Sequence, residues 1–429
     1  MKILHVSPMY APALGGSEHH LKAISEGLAS RGHTVSIFAA NVATSWDLWQ
    51  SRCGKLPEFE VINGVNVVRF HPEGGLLGRA FNQWVQLKGG WRSVSYLFSP
   101  EATDLLVQGP QTLAMIPRII RFKADVVASM NWYWPPAYHT YLAKRLKRFT
   151  LVGIPLFHTA QSWCERPIYR RMLASCDAIV VNTSHEGQFA LERGAARVKV
   201  AGVGIDPKAF EQRNGNEIRE RYSLGRFPVV GFVGRQIKKK GAFKLIEAMR
   251  QVWRWNKEVR LVLAGPRPSH EKDIAALIEN LSEAQKKRIV QIGTFDERHK
   301  AGLFDAFDVF ALPSTEESFG IAYLEAWACA KPVIGARIGS TQCVIDDGVD
   351  GLLVDPGDPV DIARALITLL SNRDTRNRMG RSGYAKTMAQ YTWDKVTDRV
   401  ERVYLDLVAA KTRSWPALAG PKRLSPWIQ

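Results

Sequence analysis

Residues 308–326 read Asp308-Val309-Phe310-Ala311-Leu312-Pro313-Ser314-Thr315-Glu316-Glu317-Ser318-Phe319-Gly320-Ile321-Ala322-Tyr323-Leu324-Glu325-Ala326. The opening run, Asp308–Leu312, has the length and apolar character of a buried strand, and Pro313 closes it. A polar loop with adjacent acids and Gly320 follows. It feeds a helix whose Ile321, Leu324 and Ala328 share one face. Ligands of doubly wound sheets bind at the carboxyl ends of strands, where this loop lies. The unpaired N–H groups at the helix start suit an anion such as phosphate. Glu325 falls beside Leu324 on the inner face, and a carboxylate there is costly without a hydrogen-bond partner. Two partners fit: the hydroxyls of a ribose, or a nearby Arg or Lys.

Outward from this stretch, short apolar runs alternate with helical patterns along the chain, the signature of parallel sheets covered by helices. In the first half, strands are expected at Lys2–Ser7, Thr34–Ala39, Glu60–Phe70, Asp125–Ser129, Thr150–Phe157 and Asp177–Asn182. A helix is expected from about Ser17, with Ser17 as its cap. The pattern restarts at Pro228–Val233 and continues through Val259–Ala264, Arg288–Gln291 and Asp308–Leu312. Residues 204–225, rich in Gly, Asn and charge, read as a linker. The expected fold is α/β, with two Rossmann-like domains, 1–205 and 206–391, facing each other across a cleft. A helix at about 392–411 is expected to return to the first domain, ahead of an irregular tail, 412–429.

Two glycine-bearing loops add to the acidic one. Gly234-Arg235-Gln236-Ile237-Lys238-Lys239-Lys240-Gly241 follows the strand Pro228–Val233. Arg235 as a planar fork and Lys240 as a point charge suit a diphosphate. A solvated basic turn is the plainer reading, and the pattern is not a P-loop. Gly15-Gly16-Ser17 lies between the first strand and its helix. It reads either as a place where backbone approaches a ligand or as a simple tight turn. His158 follows the strand Thr150–Phe157, at the end of a sheet where ligands bind. A lone histidine is also a common structural residue.

A net charge of +17 and a pI near 9.7 point to polyanionic partners without choosing among them. The five cysteines, at 53, 164, 176, 329 and 343, form no CxxC pair. That spacing argues against a structural zinc and fits a reducing compartment. The apolar run at Ile3–Val6 is too short for a signal peptide, and no ~18-residue apolar stretch appears. A cytoplasmic setting is expected, with a peripheral place at the inner membrane face as an extension of it. No helix-turn-helix, finger or RRM signature supports a nucleic-acid partner.

The order of these elements resembles glycosyltransferase family 4, the retaining enzymes of GT-B architecture. Glu317 and Glu325 match its E-x7-E pair, and Arg235 and Lys240 its G-R-x4-K-G element. Gly15-Gly16 matches its N-terminal glycine loop, and Gly32-His33-Thr34-Val35 its GHxV turn. Asn63-Gly64-Val65 with Arg69, Gly204-Ile205-Asp206 with Phe210, and Gly351-Leu352-Leu353-Val354 match further segments. The likeness runs to about residue 408, with departures at Gly339-Ser340-Thr341 and Ala330-Lys331-Pro332-Val333.

The resemblance implies a nucleotide-sugar donor, a hexose-type sugar, retention of configuration and no metal cofactor. No Asp-x-Asp motif occurs. It implies that Arg235 and Lys240 neutralise the diphosphate and that Glu317 contacts the sugar's hydroxyls. Ser318 lies in the same donor loop, the amides of Phe319, Gly320 and Ile321 orient donor groups, and Glu325 holds the ribose. Gly15 and Gly16 approach the donor, and His158 lies near the sugar. The acceptor is expected to be a glycan, a lipid-linked molecule or a small molecule, bound by the N-terminal half. There, Leu77, Phe81, Trp84 and Val85 recur at helical spacing with Arg79, Lys88 and Arg92 interleaved, ahead of Arg118, Arg121 and Lys123 and then Lys144, Arg145, Lys147 and Arg148. This reads as a helix lying on an anionic membrane or as a packed helix with a solvated face. The competing functions are an epimerase or sugar-phosphate synthase of the same fold, a regulator without turnover, and a basic polyanion-binding protein.

Overall fold

The computed structural model describes residues 1–13, 15–44, 56–72, 111–159, 161–268 and 272–413. The helix expected around Leu77–Arg92, Cys53, and the tail from 414 on lie outside the described residues. The chain divides into two compact units. One is Met1–Gly202 with the chain from Val396 onward, the other Val203–Lys395.

In the first unit the elements run β1 (Lys2–Val6), α1 (Gly16–Ser30), β2 (Thr34–Ala40), β3 (Phe59–Ile62), β4 (Val65–Phe70), α2 (Met115–Arg121), β5 (Val126–Met130), α3 (Pro135–Leu146), β6 (Leu151–Ile154), α4 (Pro167–Ser175), β7 (Ala178–Val181), α5 (Ser184–Glu192) and β8 (Val198–Val200). They build one sheet, ordered β3-β4-β2-β1-β5-β6-β7-β8. Its strands pair in parallel except β3 with β4. Strands such as β5, buried along its whole length, are the continuous apolar runs that a sheet covered on both faces requires. The order turns about β1 and β5, so the loops after these strands meet at a switch point.

Three expectations need correction here. Glu60–Phe70 is a hairpin, because Asn63 and Gly64 take positive φ (48° and 82°) and reverse the chain. Helix α1 begins at Gly16, one residue before Ser17, and no side chain caps it. The Ser17 hydroxyl instead donates to Glu18 Oε1 at 2.9 Å. β6 ends at Ile154, so His158 stands on a loop beyond it.

The second unit runs α6 (Gly215–Arg221), β9 (Val229–Val233), α7 (Ala242–Trp255), β10 (Arg260–Ala264), α8 (Lys272–Glu279), α9 (Glu283–Lys286), β11 (Ile289–Ile292), α10 (Lys300–Asp305), β12 (Val309–Leu312), α11 (Ile321–Ala328), β13 (Val333–Ala336), α12 (Gly339–Gln342), β14 (Gly351–Val354), α13 (Pro359–Ser371) and α14 (Arg373–Gln390). Its sheet, ordered β11-β10-β9-β12-β13-β14, is parallel throughout. Here the order turns between β9 and β12. Helix α7 buries Leu245, Ile246, Met249 and Val252. Each such side chain contributes about 1.5–3 kcal/mol when fully buried. The stretch 204–225 is not a linker. It forms α6 and sends Phe210, Ile218 and Leu224 into the core of this unit.

The last helix, α15, is Trp393–Arg413, and its residues from Val396 belong to the first unit. Val396, Val400 and Tyr404 are buried. Glu401 binds Arg31 (2.5 Å) and His33 (2.6 Å). His5 sits between Ser25 Oγ (2.8 Å) and Tyr404 Oη (3.1 Å) with no exposure.

Burial lowers His5 to about 3, His20 to about 4 and His139 to about 4, and raises Glu186 to about 8. The native imidazoles stay neutral, so they stabilise fully above their unfolded pKa near 6.5 and lose that contribution as pH falls. Glu186 has the opposite sign, being stabilising below about 4.5 and losing that contribution as pH rises toward 8. Three groups oppose one, so thermal stability of the first unit is expected to peak near pH 6.5 and fall on acidification to 5. The slope is roughly 1.4 kcal/mol per pH unit for each net proton. Melting temperatures across that range test this, and His5→Gln should flatten the acid limb by one proton. An unchanged acid limb in that variant would refute the assignment.

Candidate active site

The topology of the second unit sets two loops side by side, one leaving β9 and the other leaving β12. In the first, Gln236 turns inward. Its side chain is buried and donates to the Gly265 carbonyl at 2.8 Å, and its backbone N–H donates to Pro266 O at 2.9 Å. This fixes the loop and leaves Arg235 exposed, with its guanidinium making no hydrogen bond or ion pair among the described residues. Lys238–Lys240 form a short 3-10 turn ended by Gly241 at φ 82°.

Hydrogen bonds join the two loops. The Lys239 carbonyl accepts from Thr315 N and from Ser314 Oγ, both at 2.9 Å. Charges then pair across the seam, Lys240 Nζ with Glu317 Oε1 at 2.6 Å and Lys239 Nζ with Glu316 Oε1 at 2.7 Å. The Glu317 side chain is only 8% exposed, against 62% for Lys239. Lys240–Glu317 is therefore the pair held away from water, and Lys239–Glu316 is worth little.

Past Glu317, Ser318 is half-buried and Phe319 packs edge-on against Tyr391. Gly320 takes φ 88°, and a Cβ there would meet the Tyr323 ring at 2.3 Å. The Tyr323 hydroxyl donates to the Leu312 carbonyl at 2.7 Å, tying the start of α11 to the end of β12. The backbone N–H groups of Phe319, Gly320 and Ile321 have no acceptor among the described residues. Free donors at a helix start attract an anion.

Glu325 lies one turn further along α11. Of the two partners the sequence allows, the structure holds the lysine. Lys300 Nζ of α10 is 3.1 Å from Glu325 Oε1, and it also pairs with Glu297. Burial pushes the Glu325 carboxyl above the ordinary carboxylate range, and Lys300 pulls against that shift. Lys300, Gln236 and Tyr323 are not marked out by the sequence. Lys300 reaches Glu325 only through the packing of α10 on α11, and no motif points to it.

In the first unit, Gly15 and Gly16 open α1 at the switch point. A Cβ on Gly16 would meet nothing within 4 Å, whereas one on Gly15 would meet the Glu18 carboxylate. Asn131, after β5, donates to Ser17 Oγ at 3.1 Å and holds this turn. His158 is half-buried, and its carbonyl accepts from Gln161 N at 2.8 Å and Cys164 Sγ at 3.4 Å. No helix among the described residues is long and apolar enough to cross a membrane.

Residues 14–209 match the family model for Glycosyltransferase Family 4, and residues 215–386 that for Glycosyl transferases group 1. The chain is 28% identical to the D-inositol 3-phosphate glycosyltransferase of Salinispora arenicola, over 95% of its own length and 91% of the relative's. It is 26% identical to that of Xylanimonas cellulosilytica, over 97% of each. Sucrose-phosphate synthase from Thermosynechococcus elongatus superposes with a TM-score of 0.70 at 20% identity, over 95% of this chain and 99% of that one. Anabaena HepE, solved in complex with UDP-glucose, does so at 0.70 and 18%, over 95% and 100%. These two likenesses speak for the fold, which is GT-B. The family matches along both units, with the curated relatives, make the chain a glycosyltransferase, a member of glycosyltransferase family 4.

Proposed function

We propose that the protein moves a hexose-type sugar from a nucleoside-diphosphate sugar to an acceptor hydroxyl, without a metal ion and with retention of configuration. The observation that carries this reading is the Lys240–Glu317 pair, sheltered at a strand-end seam with exposed Arg235 on the same loop. Two cations there can take up the negative charge that grows on the departing diphosphate as the sugar–oxygen bond breaks, the task a divalent ion performs elsewhere. The amides of Phe319, Gly320 and Ile321 add donors to the same anion. Lys240 exchanges its Glu317 contact for phosphate oxygens, which leaves Glu317 to accept from the sugar's hydroxyls. Glu325 accepts from the ribose. The roles of Gly15, Gly16 and His158 toward donor and sugar belong to the same proposal.

A UDP-hexose is the donor we favour, since HepE was solved with UDP-glucose. A polyol acceptor is favoured by the relatives' name, D-inositol 3-phosphate glycosyltransferase. Nucleotide release from UDP-, GDP- and ADP-sugars, with and without candidate acceptors and in EDTA, tests the scheme. Acceptor-stimulated release should persist in EDTA, and loss of it with recovery on adding Mg²⁺ would overturn the metal-free reading. Sugar conversion without an acceptor would mark an epimerase instead.

Lys300 yields a separate expectation. In Lys300→Met, Glu325 loses its counter-charge and takes up a proton more readily, so it accepts less well from the ribose. UDP affinity should fall about tenfold, and further at pH 6 than at pH 8. Calorimetric titration at both pH values measures this, and a pH-independent affinity equal to wild type would remove Lys300 from the site.

A further inference from the structure

The first unit carries a basic, apolar face that the proposed chemistry leaves unused. Between residues 111 and 177 the sequence holds ten Lys and Arg (118, 121, 123, 144, 145, 147, 148, 166, 170 and 171) against three acids, Asp125, Glu165 and Asp177. All three acids are engaged. Asp125 accepts from the Lys2 backbone at 2.7 Å, Glu165 pairs with Arg193, and Asp177 pairs with Lys144 at 2.9 Å. Arg118, Arg121, Arg145 and Arg148 are exposed and make no side-chain ion pair among the described residues.

Helices α2, α3 and α4 enclose a groove of about 340 Å³ that includes Arg145 in its lining. Ile116, Tyr138, Leu142 and Ile168 line it, and Arg145 and Arg171 stand with them. Leu146, also on the groove, is 73% exposed and lies within Lys144-Arg145-Leu146-Lys147-Arg148. A leucine left in water beside the exposed Arg145, Lys147 and Arg148 gains nothing from the fold.

We propose that this face docks on a bilayer bearing anionic phospholipids. The cations meet the headgroup phosphates while Leu146 and the groove take up hydrocarbon at the headgroup–acyl boundary. Charge complementarity selects an anionic partner, and the apolar groove selects a lipid surface among anionic partners. A nucleic acid or acidic glycan would engage only the cations and leave Leu146 in water.

Co-sedimentation of the full chain with vesicles tests this, using phosphatidylcholine alone and phosphatidylcholine with about one-third phosphatidylglycerol. Binding to the anionic vesicles should be at least about tenfold tighter than to neutral ones and should weaken with salt. Arg145→Glu with Arg148→Glu should cut it about tenfold. Leu146→Ser should cut it several-fold while leaving the salt dependence intact. All three positions are solvent-exposed, so the variants should melt like wild type and keep nucleotide release with a soluble acceptor. Equal binding to both vesicle types, or charge-reversed protein that binds as before, overturns the proposal. Tight binding to heparin or an oligonucleotide without vesicle binding, insensitive to Leu146→Ser, overturns it in favour of a polyanion site.

Discussion

Lys240→Ala should lose about a hundred- to a thousandfold in kcat while the protein remains folded. Removing one preorganised donor aimed at developing negative charge costs about 2.7–4 kcal/mol in the transition state. Lys240 fits that description better than any other cation on the loop. Its ammonium is fixed at 2.6 Å from Glu317 and its side chain is 22% exposed, whereas Lys239 is 62% exposed and Lys238 is 56% exposed. Lys239→Ala is therefore the control, with turnover expected within about twofold of wild type. Folding should survive because the seam between the loops rests on the Lys239 backbone carbonyl, which alanine at 240 leaves in place. Arg235→Ala should also impair turnover, with a larger share in KM, since its guanidinium, unpaired among the described residues, is free to engage the donor's ground state. Steady-state kinetics with UDP-glucose, alongside thermal melts, would decide. Retention of more than about a tenth of wild-type kcat in Lys240→Ala would rule out the assigned role.

The two α/β units and the positions of both charged loops can be read from the sequence because each depends on local signals. Apolar strand-length runs, glycines at turns and helical periodicity all act within a few residues. What escapes such a reading depends on distant contacts or on a short signal inside a longer pattern. Asn63-Gly64 is a strong hairpin signal, but it lies inside the apolar run Glu60–Phe70, which reads as one strand. The polarity of 204–225 suggests a linker, although Phe210, Ile218 and Leu224 are spaced to reach a core that only tertiary packing supplies. For Glu325, the helix face shows that a partner is needed, and the partner is legible only once α10 has been placed. In the same way, nothing local tells that Gln236 turns inward and leaves Arg235 outside.

Gly241→Ala should damage stability and turnover together, and the reason is the seam itself. Gly241 has φ 82° and ψ 2°, the left-handed region, which costs an L-residue roughly 1–2 kcal/mol. A Cβ at this position would also lie 2.2 Å from the Pro313 carbonyl oxygen and 2.6 Å from its carbon. That obstacle is backbone of the opposite loop, so no rotamer change relieves it, and the loops must separate. Separation strains the bonds from Thr315 and Ser314 to Lys239 and then the Lys240–Glu317 contact. A total loss of about 2–4 kcal/mol follows, lowering the melting temperature of the second unit by roughly 5–15 °C. Gly348→Ala separates the two causes. Gly348 has φ 78°, but a Cβ there would meet nothing within 4 Å, so it should incur only the conformational cost, about 1 kcal/mol, with turnover intact. If Gly241→Ala melts and turns over like Gly348→Ala, the two loops are not clamped at Pro313, and the cations and acids they carry lose their common footing.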